Sequence, residues 1–214
     1  MQEDTPIKTF APSTTIGLLR HGLTVWNEEK RIQGSSDSPL SSVGIKQTNQ
    51  WTQYLSLTDW DLLLASDLGR VQQTVAIINQ KLGLPVIWDK RLREINWGQW
   101  EGMRLEDVRK NYLDEITEQT LAGWEFRAPD GESRKETLHR ARQSLVEAVQ
   151  KFPGTKILVV CHLGIIKCLL YDIMGKLFLP SEKNSILKNA FHQISAVGDS
   201  FTIDQMNIQP PKVS

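Results

Sequence analysis

The stretch that most constrains this chain is K-I-L-V-V-C at 156–161, its most hydrophobic run. A strand built from it has no polar face and must be covered on both sides, as the central strands of parallel sheets are. The run stops abruptly at His162-Leu163-Gly164, and an apolar helical stretch follows from 165 to 174. Three other short apolar runs have the same form. Residues 16–19 end in Arg20-His21-Gly22, residues 61–66 (D-L-L-L-A-S) lead to Arg70, and residues 85–88 lead to Arg91-Leu92-Arg93-Glu94. Short apolar runs bounded by turn signals read as buried strands.

Helical signals separate them. Ser41 or Ser42 caps a helix to about Leu55, with Trp51, Tyr54 and Leu55 on its apolar side. Residues 68–82 carry Val71, Val75 and Ile78 at helical spacing, and Gly83 stops them. Ser133-Arg134-Lys135-Glu136 is a capping box that opens a helix to about Phe152, ended by Pro153-Gly154. Residues 28–41 are irregular and rich in turn signals. Residues 95–131 hold Trp97, Trp100 and Trp124 with many glycines and charges and no clear strand, which predicts an insertion of one or two helices. Its position makes it a lid over the strand ends. Residues 190–206 alternate and turn at Gly198-Asp199, as an antiparallel hairpin at a sheet edge does. The expected fold is α/β: a three-layer α/β/α sandwich with a mostly parallel central sheet, an antiparallel edge and a helical lid. One domain spans 1–214, and 1–14 reads as a flexible tail.

Composition narrows the partners. Lysine plus arginine equals aspartate plus glutamate at 25 each, so the chain carries no net charge. This argues against a general nucleic-acid or anionic-membrane binder but not against a small anionic substrate. No run approaches a membrane span, and the N-terminus lacks an apolar signal core. Cys161 and Cys168 lie in apolar surroundings and read as packed, reduced thiols. Together these features point to the cytoplasm. The exposed hairpin edge would permit a strand-paired homodimer.

Ligands of open α/β sheets bind beyond the carboxyl ends of the strands. Here those ends carry Arg20, His21, Arg70, Glu94 and His162. Any one of them reads as a turn or cap residue; jointly they suit phosphoryl transfer, which needs positive donors around the equatorial oxygens. Arg20 and Arg70 offer forked donors that match a phosphate. His21 offers a neutral nitrogen nucleophile. His162 becomes a third cation if a neighbouring phosphate protonates it. Glu94 can protonate the leaving alcohol and later take a proton from water, provided the pocket raises its pKa. No cofactor is implied, and the four histidines and two cysteines show no metal-ligand spacing.

At these residues the chain resembles the histidine phosphatase superfamily, also called phosphoglycerate mutase-like. The resemblance rests on L-L-R-H-G-L-T-V-W-N at 18–27, Q-G-S-S-D-S-P-L-S-S-V-G at 33–44 and A-S-D-L-G-R-V-Q-Q-T at 65–74. It continues through L-R-E-I-N-W-G-Q-W-E-G at 92–102, D-G-E-S at 130–133 and V-V-C-H-L-G at 159–164, covering about 15–175 in order. It implies that His21 is the phosphorylated nucleophile, Glu94 the proton donor and Arg20, Arg70 and His162 the phosphate clamp. Asn27, Thr24, Gln33, Gly34 and Leu163 would complete the phosphate site. Two departures stand out: Leu163 where a glycine-like residue is usual, and Leu23 where Glu or Gln commonly follows Arg-His-Gly. Both read as hints about the leaving group.

The glycolytic mutases of that family follow the catalytic glutamate with Arg-His-Tyr-Gly, whereas Glu94 is followed by I-N-W-G-Q-W-E-G-M. This run looks like the phosphatase branch and implies a metal-independent phosphomonoesterase acting on a small phosphorylated metabolite. Mutase-type transfer and a silent phosphoester-binding protein are the alternatives; a serine hydrolase lacks its G-x-S-x-G elbow. Trp26, Trp97, Trp100 and Trp124 either line the pocket mouth or, the preferred reading, pack the lid. Arg31, Arg93, Arg104 and Arg127 either read a second anionic group or are surface charges. His139 reads as an exposed helix residue, and His192 has no evident partner.

Overall fold

The structure, a computed structural model, describes residues 12–210. Its strands are β1 (Thr14–Arg20), β2 (Leu62–Ala65), β3 (Val86–Trp88), β4 (Lys156–Cys161), β5 (Phe191–Val197) and β6 (Ser200–Ile208). They form one six-stranded sheet in the order β3-β2-β4-β1-β5-β6. The first four in that order are parallel; β5 and β6 extend the sheet antiparallel beyond β1.

The unbroken apolar run of β4 has the two covers it demands. Ile157, Val159 and Cys161 belong to a core with Leu145 of α6 (Arg134–Lys151) and Ile165 and Leu169 of α7 (Leu163–Ile173). Leu158 and Val160 face a second core with Trp51 of α2 (Ser42–Leu55) and Val71 and Val75 of α3 (Gly69–Leu82). Period-2 alternation thus sorts one strand between two helix layers. The helix ends follow their capping chemistry. The Ser41 hydroxyl accepts the Gly44 amide at 3.2 Å. Ser133 and Glu136 exchange amide-to-side-chain bonds at 3.1 and 2.8 Å, and Gly83 ends α3 in the left-handed region at φ 63°.

Several boundaries move by a residue or two from the sequence reading, and two of the shifts have a clear physical cause. Thr14, assigned to the tail, opens β1: it is fully buried and accepts the Gly154 amide on its hydroxyl at 2.9 Å. The rest of that tail, residues 1–11, lies outside the described residues. Helix α7 starts at Leu163 rather than Ile165 because His162 is its N-cap, and a first turn facing a cavity adds nothing to the apolar period.

The 95–131 segment carries α4 (Leu105–Asn111), α5 (Leu113–Leu121) and single 3-10 turns at Gly98–Trp100 and Gly123–Glu125. Trp100, Val108, Phe126 and Ala128 give it a small core of its own. Among the described residues no helix is long and apolar enough to cross a membrane.

Candidate active site

Parallel pairing of β1 with β4 sets Arg20 opposite Cys161, so the next residue on each strand is an imidazole. The rings of His21 and His162 lie 5.1 Å apart, centroid to centroid. His21 Nδ1 is 2.8 Å from the Gly22 carbonyl, which can only accept; Nδ1 therefore holds the proton and Nε2 keeps its lone pair. Burial, reinforced by Arg20 and Arg70, holds the His21 pKa well below the ordinary imidazole range. His162 is fully buried, with Nε2 2.9 Å from the Ser66 hydroxyl and Nδ1 without a partner. Burial first, then Arg70, His21 and Arg20, also push its pKa far down. The resting ring is neutral. Nε2 is committed to Ser66 in either tautomer, and Nδ1 is left free to donate to an anion whenever it carries a proton.

Arg70, at the start of α3, is almost completely buried. It donates to the Ser36 carbonyl at 2.8 Å, the Gly34 carbonyl at 2.8 Å and Asp37 Oδ1 at 3.0 Å. Asp37 also accepts the amides of Gly69 and Arg70, which ties the helix start to the 33–37 loop. That loop is pinned in turn by Glu101, which accepts the amides of Ser35 at 2.7 Å, Ser36 at 3.0 Å and Trp97 at 3.2 Å. Gly34 is required beneath it: φ is +56°, and a Cβ would stand 1.9 Å from Glu101 Oε1. The sequence reading missed Glu101; the W-E-G run contained it, but nothing local shows what it holds.

Arg20 donates to Asn27 Oδ1 at 3.1 Å. Asn27 is placed by Thr24, whose hydroxyl accepts the Asn27 amide at 3.1 Å as the N-cap of α1 (Val25–Glu28). Thr24 is fully buried beside the cavity, and its hydroxyl, which accepts the Asn27 amide, keeps its own proton to donate. Gly22 is held close to a neighbouring helix. A Cβ there would lie 2.5 Å from the Thr48 hydroxyl, so it is α2 that comes close to the chain at this point.

Glu94 lines the same cavity as His21. Its carboxylate accepts the Ile95 amide at 2.9 Å and the Gly164 amide at 3.3 Å. Arg140 braces its backbone, donating to the carbonyls of Arg91, Arg93 and Glu94 at 2.7, 2.6 and 3.0 Å. A Cβ at 164 would stand 2.2 Å from Glu94 Oε1, so glycine is needed there, while Leu163 is accommodated as part of the wall.

A cavity of about 550 Å³ extends from these groups beneath the 95–131 segment, within the size range of small-molecule sites. Arg20, His21, Asn27, Gln33, Gly34, Arg70 and Glu94 line one end; Trp97, Trp100, Phe126, Leu163, Tyr171 and Phe178 line much of the rest. Trp97 and Trp100 are stacked, with centroids 6.3 Å apart. Trp26 and Trp124 are outside the wall, and Trp124 packs on Phe178. Arg31 lines the cavity but is bound to Glu29 and the Gly102 carbonyl. Arg93, Arg104 and Arg127 are outside it, paired with Asp67, Glu106 and Glu136. Arg134 and Lys167, which sequence reasoning did not single out, are in the wall. His139 is exposed on α6, and buried His192 accepts the Asn207 amide at 3.2 Å. Among the described residues, the buried side-chain polar atoms without a partner are Arg20 Nε, Arg70 Nε, His162 Nδ1, Gln33 Oε1 and Trp100 Nε1. All lie at or beside this cavity. Three are nitrogens grouped around His21, which is what an oxyanion site requires.

Fold and site define a class: the chain belongs to the histidine phosphatase superfamily (branch 1), whose sequence profile matches residues 16–209. It is 40% identical over 159 residues to a probable phosphoglycerate mutase, GpmB, of Yersinia enterocolitica, covering 74% of each chain. It is 34% identical over 162 residues to an uncharacterized phosphatase, PhoE, of Bacillus subtilis, covering 76% of this chain and 78% of that one. Among solved structures it is similar to Bacillus stearothermophilus YhfR, with a TM-score of 0.84 and 26% identity over 91% of this chain and 97% of that one. It is also similar to a mycobacterial glucosyl-3-phosphoglycerate phosphatase solved with VO3, with a TM-score of 0.82 and 25% identity over 91% of this chain and 99% of that one.

Proposed function

We propose that this protein is a metal-independent phosphomonoesterase working through a phosphohistidine at His21. The observation that carries this reading is the set of three buried, unpartnered nitrogens, Arg20 Nε, Arg70 Nε and His162 Nδ1, around a histidine whose Nε2 is unprotonated. Arg20, Arg70, His162 and Asn27 hold the phosphoryl oxygens, so the chain itself supplies the positive donors that the transfer needs. His21 Nε2 attacks phosphorus in line; the N–P bond forms as the ester P–O bond breaks, and protonated Glu94 gives its proton to the departing alkoxide. The Glu94 carboxylate then takes a proton from water as its oxygen attacks phosphorus. The N–P bond breaks, releasing phosphate and the free imidazole.

The substrate in this reading is a small phosphorylated metabolite, and the absence of a mutase-type Arg-His-Tyr-Gly run after Glu94 favours water as the final acceptor. Cytoplasmic action accords with Cys161 and Cys168, which are buried and not joined in a disulfide. The mutase names among relatives keep phosphoglycerate transfer as the second reading. The deciding experiment is phosphate release from p-nitrophenyl phosphate with and without chelator, beside His21→Ala. Chelator-resistant release that vanishes in the variant supports the proposal, and equal release by the variant sinks it. Interconversion of phosphoglycerates faster than phosphate release would favour the mutase.

A further inference from the structure

The far half of the cavity carries more positive charge than a phosphate monoester can neutralise. Of the eleven arginines, eight make ion pairs among the described residues: Arg31, Arg70, Arg91, Arg93, Arg104, Arg127, Arg140 and Arg142. The remaining three, Arg20, Arg109 and Arg134, all line the cavity. Lys167 lines it too, half-buried, with no ion pair or hydrogen bond among the described residues. Against these four cations the wall holds one carboxylate, Glu94, whose oxygens are occupied by the amides of Ile95 and Gly164. A phosphate dianion offsets two charges. Arg20 sits at the clamp, which leaves the cations of the opposite half without an anion.

Position gives that surplus a meaning. Lys167 follows Leu163 and Gly164 by four and three residues on α7, so it shares their face about one turn, or ~5.4 Å, farther from the reaction centre. Gly164 touches Glu94, which the proposed mechanism puts on the leaving-alcohol side, so the α7 face that carries Lys167 starts from that side. Arg134 is fixed between aromatic faces, 4.2 Å from the Phe126 centroid and 4.6 Å from that of Phe178, and gives one Nη to the Gly123 carbonyl at 3.0 Å. The stacked Trp97 and Trp100 line the same cavity, the latter with a buried, unpartnered Nε1. Crowding by Arg134 and Lys188, after burial itself, lowers the Lys167 pKa, a cost that a bound anion would relieve.

We propose that Lys167 and Arg134 form a second anion subsite on the leaving-group side. The substrate class is then a phosphomonoester whose alcohol has a flat or apolar body and ends in a carboxylate or a second phosphate. The class of substrate rests on the phosphatase reading; the subsite itself does not. The test is calorimetric binding of three non-hydrolysable probes to the intact protein: 4-carboxybenzylphosphonate, 1,4-xylylene diphosphonate and the neutral 4-carbamoylbenzylphosphonate. The expected result is that at least one anionic probe binds about tenfold tighter than the amide, as a charge-assisted contact would give. Lys167→Met, which keeps the apolar stem, brings that ratio close to one. A general folding defect would weaken all probes alike and leave the ratio standing. Which anionic arm gains identifies carboxylate or phosphate. Equal affinity of all three probes for the parent protein, a preference that survives Lys167→Met, or failure of all three to bind overturns the subsite. No turnover is read here, so a protein that hydrolyses no ester but keeps the preference would lose the phosphatase reading and retain the subsite.

Discussion

The amide of Gly164 donates to the carboxylate of Glu94 at 3.3 Å, and the absence of a side chain on Gly164 is what gives that carboxylate its place. One strand end thus positions a carboxylate contributed by another, the proton donor of the proposed mechanism. Gly164→Ala puts a Cβ 2.2 Å from Oε1 and forces the carboxylate aside. The expected outcome is a fall in kcat of about 10²-fold, the lower end of what general acid catalysis contributes. The loss should be larger for alkyl phosphates than for p-nitrophenyl phosphate, whose alcohol needs little protonation. Steady-state kinetics on both esters checks this.

Glu101 acts on the clamp through the loop that holds Arg70. Removing its carboxylate releases the amides of Ser35, Ser36 and Trp97 together. Glu101→Ala is expected to weaken inhibition by vanadate about tenfold, on the scale of a lost charge-assisted contact, with the overall helix content unchanged by circular dichroism.

Binding an oxyanion at the clamp should stabilise the folded chain. At a phosphate concentration of 100 Kd the gain is about 2.7 kcal/mol, or roughly 5–10 °C in Tm for a chain of this size. Arg70→Ala should abolish the shift. A melting series in phosphate against chloride of equal ionic strength decides it.

Acid should unfold the protein through its buried neutral histidines. His21 and His162 are held well below the ordinary imidazole value, and burial lowers His192 to about 4. A depressed folded pKa means that the unfolded chain binds more protons below about pH 6.5. Stability is therefore fully present above that pH and is lost as the pH falls toward each folded value. Each such histidine steepens the loss by about 1.4 kcal/mol per pH unit. Denaturant midpoints from pH 7 to 4.5 should show the decline, and His192→Gln should reduce its slope by one proton. By the same logic kcat/KM should not fall from protonation of His21 between pH 7 and 6.

The cap of α6 offers a test of fold alone. Ser133→Ala removes the oxygen that accepts the Glu136 amide and should cost about 1 kcal/mol, read as a shifted denaturant midpoint with m unchanged.

What the sequence determined was everything that local chemistry encodes. The Ser133 cap, the Gly83 stop and the two-faced apolar run of β4 were legible because each depends on contacts within a few residues, and the Ser41-or-Ser42 cap was legible to within one position. The strand-end residues His21, Arg70, Glu94 and His162 were legible because ligands gather where parallel strands stop. What only the tertiary structure decided was which side chains face one another across the chain. Glu101 holding the 33–37 loop, Gly164 fitting under Glu94, and Arg134 and Lys167 lining the cavity with no carboxylate partner among the described residues all depend on packing between segments far apart in sequence. Thr24 shows the same limit: motif position puts it near the phosphate site, and only the fold shows its hydroxyl accepting the Asn27 amide at the start of α1. A residue's type and neighbours state what it can donate or accept; only the packed fold settles which partner takes it.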